Sequence, residues 1–179
     1  MVYLFLADGF EEIEALTPVD MLRRAGIDVT TVSINDTLYV KGAHSITVQA
    51  DKTKDQISFE NIDAVILPGG LPGADNLRFD TTVQAFIDKA YEQNKLVCAI
   101  CAAPRILGEK GILENRDATC FPGFESYLKG ARCTDAGCVV SGNVITAKSM
   151  GKAVEFSTEI IAKLKNRETA EKIKNSIFA

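Results

Sequence analysis

The sequence predicts an α/β fold built on a mostly parallel central sheet, and two observations carry that expectation. Strand-sized apolar runs recur along the chain with helical patterns between them, which is the alternation of βαβ units. Three of these runs, "VYLFLA" (2–7), "DAVILPGG" (63–70) and "KLVCAIC" (95–101), are nearly continuous in apolar residues, as strands covered on both faces must be. A chain of 179 residues with 46% hydrophobic content can close a core without disulfides or metals, so residues 1–179 are expected to form one domain.

The elements follow in order. After the first strand comes the acidic stretch "DGFEEIEALTPVD" (8–20). Thr17 and Asp20 make a pair resembling a capping box, and Pro18 suits a first helical position, so a regular helix is expected to begin there. Glu11, Glu12 and Glu14 then lie in the preceding turn. If helical turns begin at Glu11 instead, Pro18 cannot donate to the Glu14 carbonyl and the helix bends at that point. Either helix ends at "RRAG", with Gly26 as the stop. "DVTTVSI" (28–34) is the next strand, and "LYVKGAHSITVQA" (38–50) reads as a hairpin around Gly42 on the sheet's edge. After the strand at 63–70, a helix over 80–93 aligns Val83, Phe86, Ile87 and Ala90 on one face. Beyond the strand at 95–101, "ATCFPGFESYL" (118–128) reads as a loop with a short helix. "CVVSGNVITA" (138–147) reads as a hairpin turning at Gly142-Asn143. Two helices close the chain, over 151–165 and 167–176, the second capped by Asn166.

A formal net charge of −4 and scattered basic residues argue against a nucleic-acid partner. No apolar run reaches the roughly 20 residues of a membrane helix, and no basic region precedes the apolar start, so a cytoplasmic protein is expected. Five cysteines, an odd number, fit thiols kept reduced rather than a disulfide framework. A metal site is not expected either: Cys98 and Cys101 form a C-x-x-C, but no second close pair or histidine accompanies them.

The chemistry concentrates where "LVCAICAAPRIL" turns from strand to helix. A nucleophile displayed at so sharp a corner needs small residues two positions before and after it. Ala99 and Ala103 supply them around Cys101. Pro104 fits the first helical turn, and the following helix is expected to hold the Cys101 thiol below the ~8.5 of a free cysteine. Cys98, inside the apolar strand, reads as core. In an open α/β sheet, ligands bind outside the carboxyl ends of the strands. That edge also receives Glu14 after the first strand and Gly69-Gly70 after the third. The amides of Gly70 and Ala102 are placed to serve as an oxyanion hole beside the thiol. Glu11 and Glu12 read as ordinary decoration of a helix start.

"DGFEEIEALTPVDMLRRAGIDV", "DAVILPGGLPGADNL" and "LVCAICAAPRILGEKGIL", in this order and spacing, resemble the ThiJ/PfpI family, and "AKSMGKAVEFSTEIIAKL" extends the likeness toward the C-terminus. The resemblance implies a flavodoxin-like three-layer α/β sandwich and a homodimer. It also implies Cys101 as nucleophile, Glu14 as the carboxyl group hydrogen-bonded to it, and Gly70 and Ala102 as the oxyanion-hole amides. Several members place a histidine where this chain has Phe121, and many have glycine where it has Ala103. The only histidine, His44, lies in the expected edge hairpin and reads as a surface residue, so a Cys-His protease dyad has no support. The implied activity is a glutathione-independent glyoxalase converting methylglyoxal to lactate, or a related deglycase acting on glycated amino groups, with no metal or organic cofactor. The other reading is a redox-sensing or chaperone-like stress protein in which Cys101 is oxidised to sulfenic or sulfinic acid. The sequence leaves both open.

Overall fold

In β1 (Val2–Leu6) every residue is buried, and the strand's alternation sends Val2, Leu4 and Leu6 to one face and Tyr3 and Phe5 to the other. That two-sided burial is repeated in the neighbouring strands and fixes the architecture. The computed structural model describes residues 1–179.

The chain runs through α1 (Glu12–Arg24), β2 (Val29–Ser33), β3 (Tyr39–Lys41), β4 (Thr47–Gln49), β5 (Lys52–Thr53) and β6 (Ala64–Leu67), then α2 (Gly73–Phe79), α3 (Thr81–Glu92), β7 (Leu96–Ile100) and α4 (Pro104–Glu109). It continues through β8 (Asp117–Ala118), β9 (Arg132–Cys133), β10 (Cys138–Ser141), β11 (Val144–Ala147), α5 (Ala153–Leu164) and α6 (Arg167–Ser176). The main sheet has seven strands in the order β10-β11-β7-β6-β1-β2-β5, all parallel except the β10 edge. Residues of α1, α5 and α6 cover one face together with Leu4, Ile66 and Cys98. Residues of α2, α3 and α4 cover the other with Phe5, Val65 and Val97. The result is the expected three-layer, flavodoxin-like sandwich. No helix is long and apolar enough to cross a membrane.

Most elements lie where periodicity places them. Asp80 caps α3 by accepting from the Val83 N–H, Asn166 caps α6 by accepting from Thr169, and the Gly142-Asn143 turn joins β10 to β11. Two elements differ from expectation. The helix after β1 begins at Glu12 with Glu11 as its N-cap, the second of the two starts the sequence allows rather than the one at Thr17, and carries Pro18 inside it. Burial of Ala15, Pro18 and Leu22 stabilises the extra turn and offsets the hydrogen bond that Pro18 cannot make. The hairpin of β3 and β4 is not on the edge of the main sheet but forms a sheet of its own; the edge position belongs to β5. Its residues are mostly exposed, so its place is set by the bonds Gly9 N–H to Lys41 O at 2.7 Å and Ala43 N–H to Phe10 O at 2.8 Å. The short α2, which packs Ala74 and Leu77 inward, has too few residues to announce itself by periodicity.

Asp80 also binds Lys54 at 2.7 Å with little of its side chain exposed. Asp80→Ala removes a helix cap and leaves Lys54 without its partner, and should cost about 1–2 kcal/mol. Lys54→Ala should cost less. Urea unfolding of the two variants beside the parent checks the order.

Candidate active site

The strand order reverses at β1, whose neighbours β2 and β6 are reached in opposite directions, and the carboxyl ends of β1, β6 and β7 open there onto a common edge. Each delivers one part of the site.

β7 delivers Cys101. Its φ of 95° is in the left-handed region that costs a residue with a Cβ about 1 kcal/mol or more, so the corner is a strained one. Ala99 and Ala103 are fully buried on either side, as the small-residue requirement predicts, and Pro104 occupies the first turn of α4. Cys98 is fully buried in the sheet.

β1 delivers Glu14 through the first turn of α1. The side chain is only 1% exposed, and Oε2 accepts from the Gly69 N–H at 2.9 Å. Gly69, at the end of β6, fills the narrow space between the two reactive groups. A Cβ there would lie 2.6 Å from Glu14 Oε2 and 2.8 Å from the Cys101 Cβ, so only glycine permits the approach. Gly70 follows with φ 86°, and its N–H, like that of Ala102, donates to no backbone carbonyl. The Ala102 N–H points to the Cys101 sulfur.

The protonation of the pair is set first by burial, which pushes the Glu14 carboxyl up to about 7 against the opposing hydrogen bonds from Cys101, Gly69 and Met150. Burial also raises the Cys101 thiol, reinforced by the charge and hydrogen bond of Glu14 and only partly opposed by the Ala102 N–H. The expectation of a depressed thiol is therefore corrected. Two negative charges cannot share this space, and α4, with six residues, is too short to compensate for burial. Cys98, Cys120 and Cys138 are also raised by burial, and Cys133 is the exposed thiol.

Glu14 and Cys101 line a cleft of about 400 Å³ with Gly70, Glu11, Phe121, Ser149, Met150 and Gly151. The sequence reading missed four of these. Ser149, Met150 and Gly151 belong to the turn between β11 and α5, and nothing in their local pattern signals a site. Glu11 and Glu12 are not the plain decoration of a helix start that the sequence suggests: Glu11 lines the cleft and Glu12 is buried. Glu12 is buried and accepts from the His44 backbone N–H at 2.8 Å, with His44 Nδ1 at 2.8 Å from its other oxygen. It thereby anchors the β3–β4 turn to the start of α1. Burial works against its charge, but the His44 hydrogen bonds hold its pKa below the usual carboxylate range. His44 itself is exposed and does not line the cleft. Phe121 stands at the cleft with its N–H bonded to the Cys101 carbonyl. Behind it, buried Arg105 of α4 is ion-paired with Asp75 of α2 and lies 5.3 Å from the Phe124 ring, bracing the loop against the layer beneath.

Native Glu14 retains a proton that an unfolded chain releases near 4.5, so stability falls as pH rises between 4.5 and 7. That ionisation costs the fold about 3 kcal/mol above pH 7. Glu14→Gln should gain stability relative to the parent as pH rises from 5 to 8. A pH-independent difference in urea midpoints would refute this account.

Comparison with known proteins agrees with the architecture and the order of these motifs. Residues 1–163 match the DJ-1/PfpI family model. Protein DJ-1 homolog B of Arabidopsis thaliana is 33% identical over 174 residues, covering 96% of this chain but 40% of that protein, so the chain spans less than half of that relative. A protein named deglycase from Pyrococcus abyssi is 29% identical over 166 residues, covering 92% of this chain and 99% of the relative. The solved structure of Toxoplasma gondii DJ-1, oxidized, superposes with a TM-score of 0.95 at 33% identity, covering 99% of this chain and 97% of the other. The chain belongs to the DJ-1/PfpI family.

Proposed function

We propose that this protein is a cysteine-dependent protective enzyme that converts small 2-oxoaldehydes such as methylglyoxal to 2-hydroxy acids without glutathione. The observation that carries this reading is the buried pair of Glu14 and Cys101, joined across Gly69 and flanked by the unengaged amide of Gly70.

Because the thiol is raised, Cys101 is activated at the moment of attack. The Glu14 carboxylate takes the thiol proton as sulfur bonds to the aldehyde carbon, and the carbonyl electrons become an oxyanion held by the Gly70 and Ala102 amides. Protonation of that oxygen gives a hemithioacetal. Glu14 then moves a proton from the former aldehyde carbon to the neighbouring carbonyl carbon by way of an enediol. The first carbon is oxidised to a thioester while the second is reduced to an alcohol, so no external redox partner is required. Water releases the hydroxy acid and restores the thiol. Action on glycated amino groups would use the same residues, in keeping with a relative named deglycase. Phe121 supplies no acid–base group at the position where the family resemblance gives several members a histidine, and such a group commonly contributes about 10²–10⁴-fold, so slow turnover is expected.

The second reading is peroxide capture at Cys101, giving sulfenic and then sulfinic acid, with protonated Glu14 as a hydrogen-bond donor to the product. It is favoured by the placement of a buried acid against the sulfur, and a solved relative bears the description oxidized. Five unbridged thiols fit a reducing, cytoplasmic setting for either role. A homodimer is part of the proposal, with the exposed Ile13 and Leu16 of α1 available to an interface.

Reduced protein given methylglyoxal, without glutathione or metal, should form lactate well in excess of protein, lost in both Cys101→Ala and Glu14→Gln. Its kcat/KM should rise with pH through about 7, because the base is the ionised form of Glu14. Consumption of methylglyoxal with no lactate would support thiol capture alone, and lactate formation surviving Cys101→Ala would remove the mechanism. Sedimentation equilibrium should give twice the 19.4 kDa chain mass at micromolar concentration.

A further inference from the structure

Two side chains at the mouth of the cleft have no part in the proton chemistry yet are tied by their backbones to the groups that perform it. The Phe121 N–H is bonded to the Cys101 carbonyl, and the Met150 N–H faces the Glu14 carboxyl. Both side chains line the cleft and remain largely solvent-exposed, Phe121 at 45% and Met150 at 50%. Apolar groups of this size gain by burial, and here they lack a cover within the chain. Most of the cleft's exposed lining is apolar.

The charges around the cleft are equally one-sided. Glu11 and Glu14 line it, and no lysine, arginine or histidine does. The His44 ring lies 3.5 Å from Glu11 but outside the lining, and the nearest lysines along the chain are engaged elsewhere: Lys148 is paired with Asp135, and Lys152 lies 3.3 Å from Glu155. A carboxylate or phosphate on a substrate would meet Glu11 and the ionised form of Glu14 with no lysine or arginine in the lining to receive it.

Building on the 2-oxoaldehyde reading, we infer that the preferred substrates are uncharged 2-oxoaldehydes with an apolar, planar substituent, an aryl group above all, and that Phe121 and Met150 determine this preference. The aldehyde end reaches Cys101 and Glu14, while the ring lies between the Phe121 ring and the Met150 thioether. Aromatic and sulfur–aromatic contacts each add to the area term there. Methylglyoxal presents only a methyl group to the same wall.

The test compares kcat/KM for phenylglyoxal, methylglyoxal and 4-carboxyphenylglyoxal on the reduced protein. The 2-hydroxy acid product is quantified, so that adducts with arginine do not register. Phenylglyoxal is expected to exceed methylglyoxal by about tenfold or more, and its carboxylated analogue by about as much. Phe121→Ala and Met150→Ala should each shrink the phenyl-to-methyl ratio several-fold, mainly through KM, and Phe121→Leu should restore part of it. Cys101-dependent turnover in which methylglyoxal is preferred, or in which neither alanine variant moves the ratio, overturns the inference while leaving the enzyme reading intact.

If no aldehyde is turned over by Cys101, the enzyme reading fails and the cleft's selectivity is read from alkylation. In a Cys133→Ser background, Cys101 labelling by phenacyl bromide, iodoacetamide and iodoacetate is followed by peptide mass spectrometry and normalised to free cysteine. Phenacyl bromide fastest and iodoacetate slowest, with the phenacyl advantage reduced in Phe121→Ala, supports an apolar, anion-excluding cleft. Equal normalised rates overturn it.

Discussion

The arrangement depends on a carboxyl group buried against a thiol across a glycine. Glu14 is 1% exposed, its nearest backbone donor is Gly69, and the Cys101 Cβ lies on the other side of the same glycine. Burial of an acid is costly unless it is hydrogen-bonded or protonated, and this one is both bonded and displaced toward neutrality. Its position requires α1 to begin before Pro18 and β6 to end in glycine. It also requires β7 to end in a strained left-handed residue. Local irregularities at 14–18, 69–70 and 101 are thus consequences of a single close approach.

That constraint also explains the division of labour around the cleft. Elements on the reactive side are fixed by backbone hydrogen bonds, from Glu11 N–H to Gly69 O at 2.9 Å and from Phe121 N–H to Cys101 O. Side chains that face outward, Phe121 and Met150, are free to differ without disturbing these bonds. The buried pair of Glu14 and Cys101 is fixed by this main-chain geometry, whereas Phe121 and Met150 hang from it exposed.

The parallel strands were legible because they are buried on both faces and their apolar runs are continuous, as in "VYLFL" and "LVCAI". The elbow was legible because its steric rule is local: Ala99 and Ala103 had to be small. Glu14 could be singled out only through the order of strands at the sheet edge and the family resemblance, since three glutamates in a row of four look alike in sequence. The start of α1 was misplaced because local capping at Thr17 and Pro18 competed with tertiary burial, and burial prevailed. The thiol's protonation was misjudged because helix-end stabilisation is visible in a sequence, whereas desolvation by Glu14 and the surrounding core is not. The Met150 turn was illegible for a related reason: its role depends on β11 lying beside β7, a long-range pairing with no local signature.

The parallel pairing of β11 with β7 has a kinetic consequence. The strands that present Glu14, Gly70 and Cys101 are formed from the first part of the chain, but the Met150 side of the cleft arrives only when β11 docks and α5 covers the sheet. Synthesis runs from the N-terminus, so β11 is made after β1, β6 and β7 and pairs with β7 only once it has emerged. A nascent chain emerging from the ribosome therefore holds an open, solvated thiol until its last strands are made. The order of synthesis thus delays the burial of Cys101 until β11 and α5 are in place.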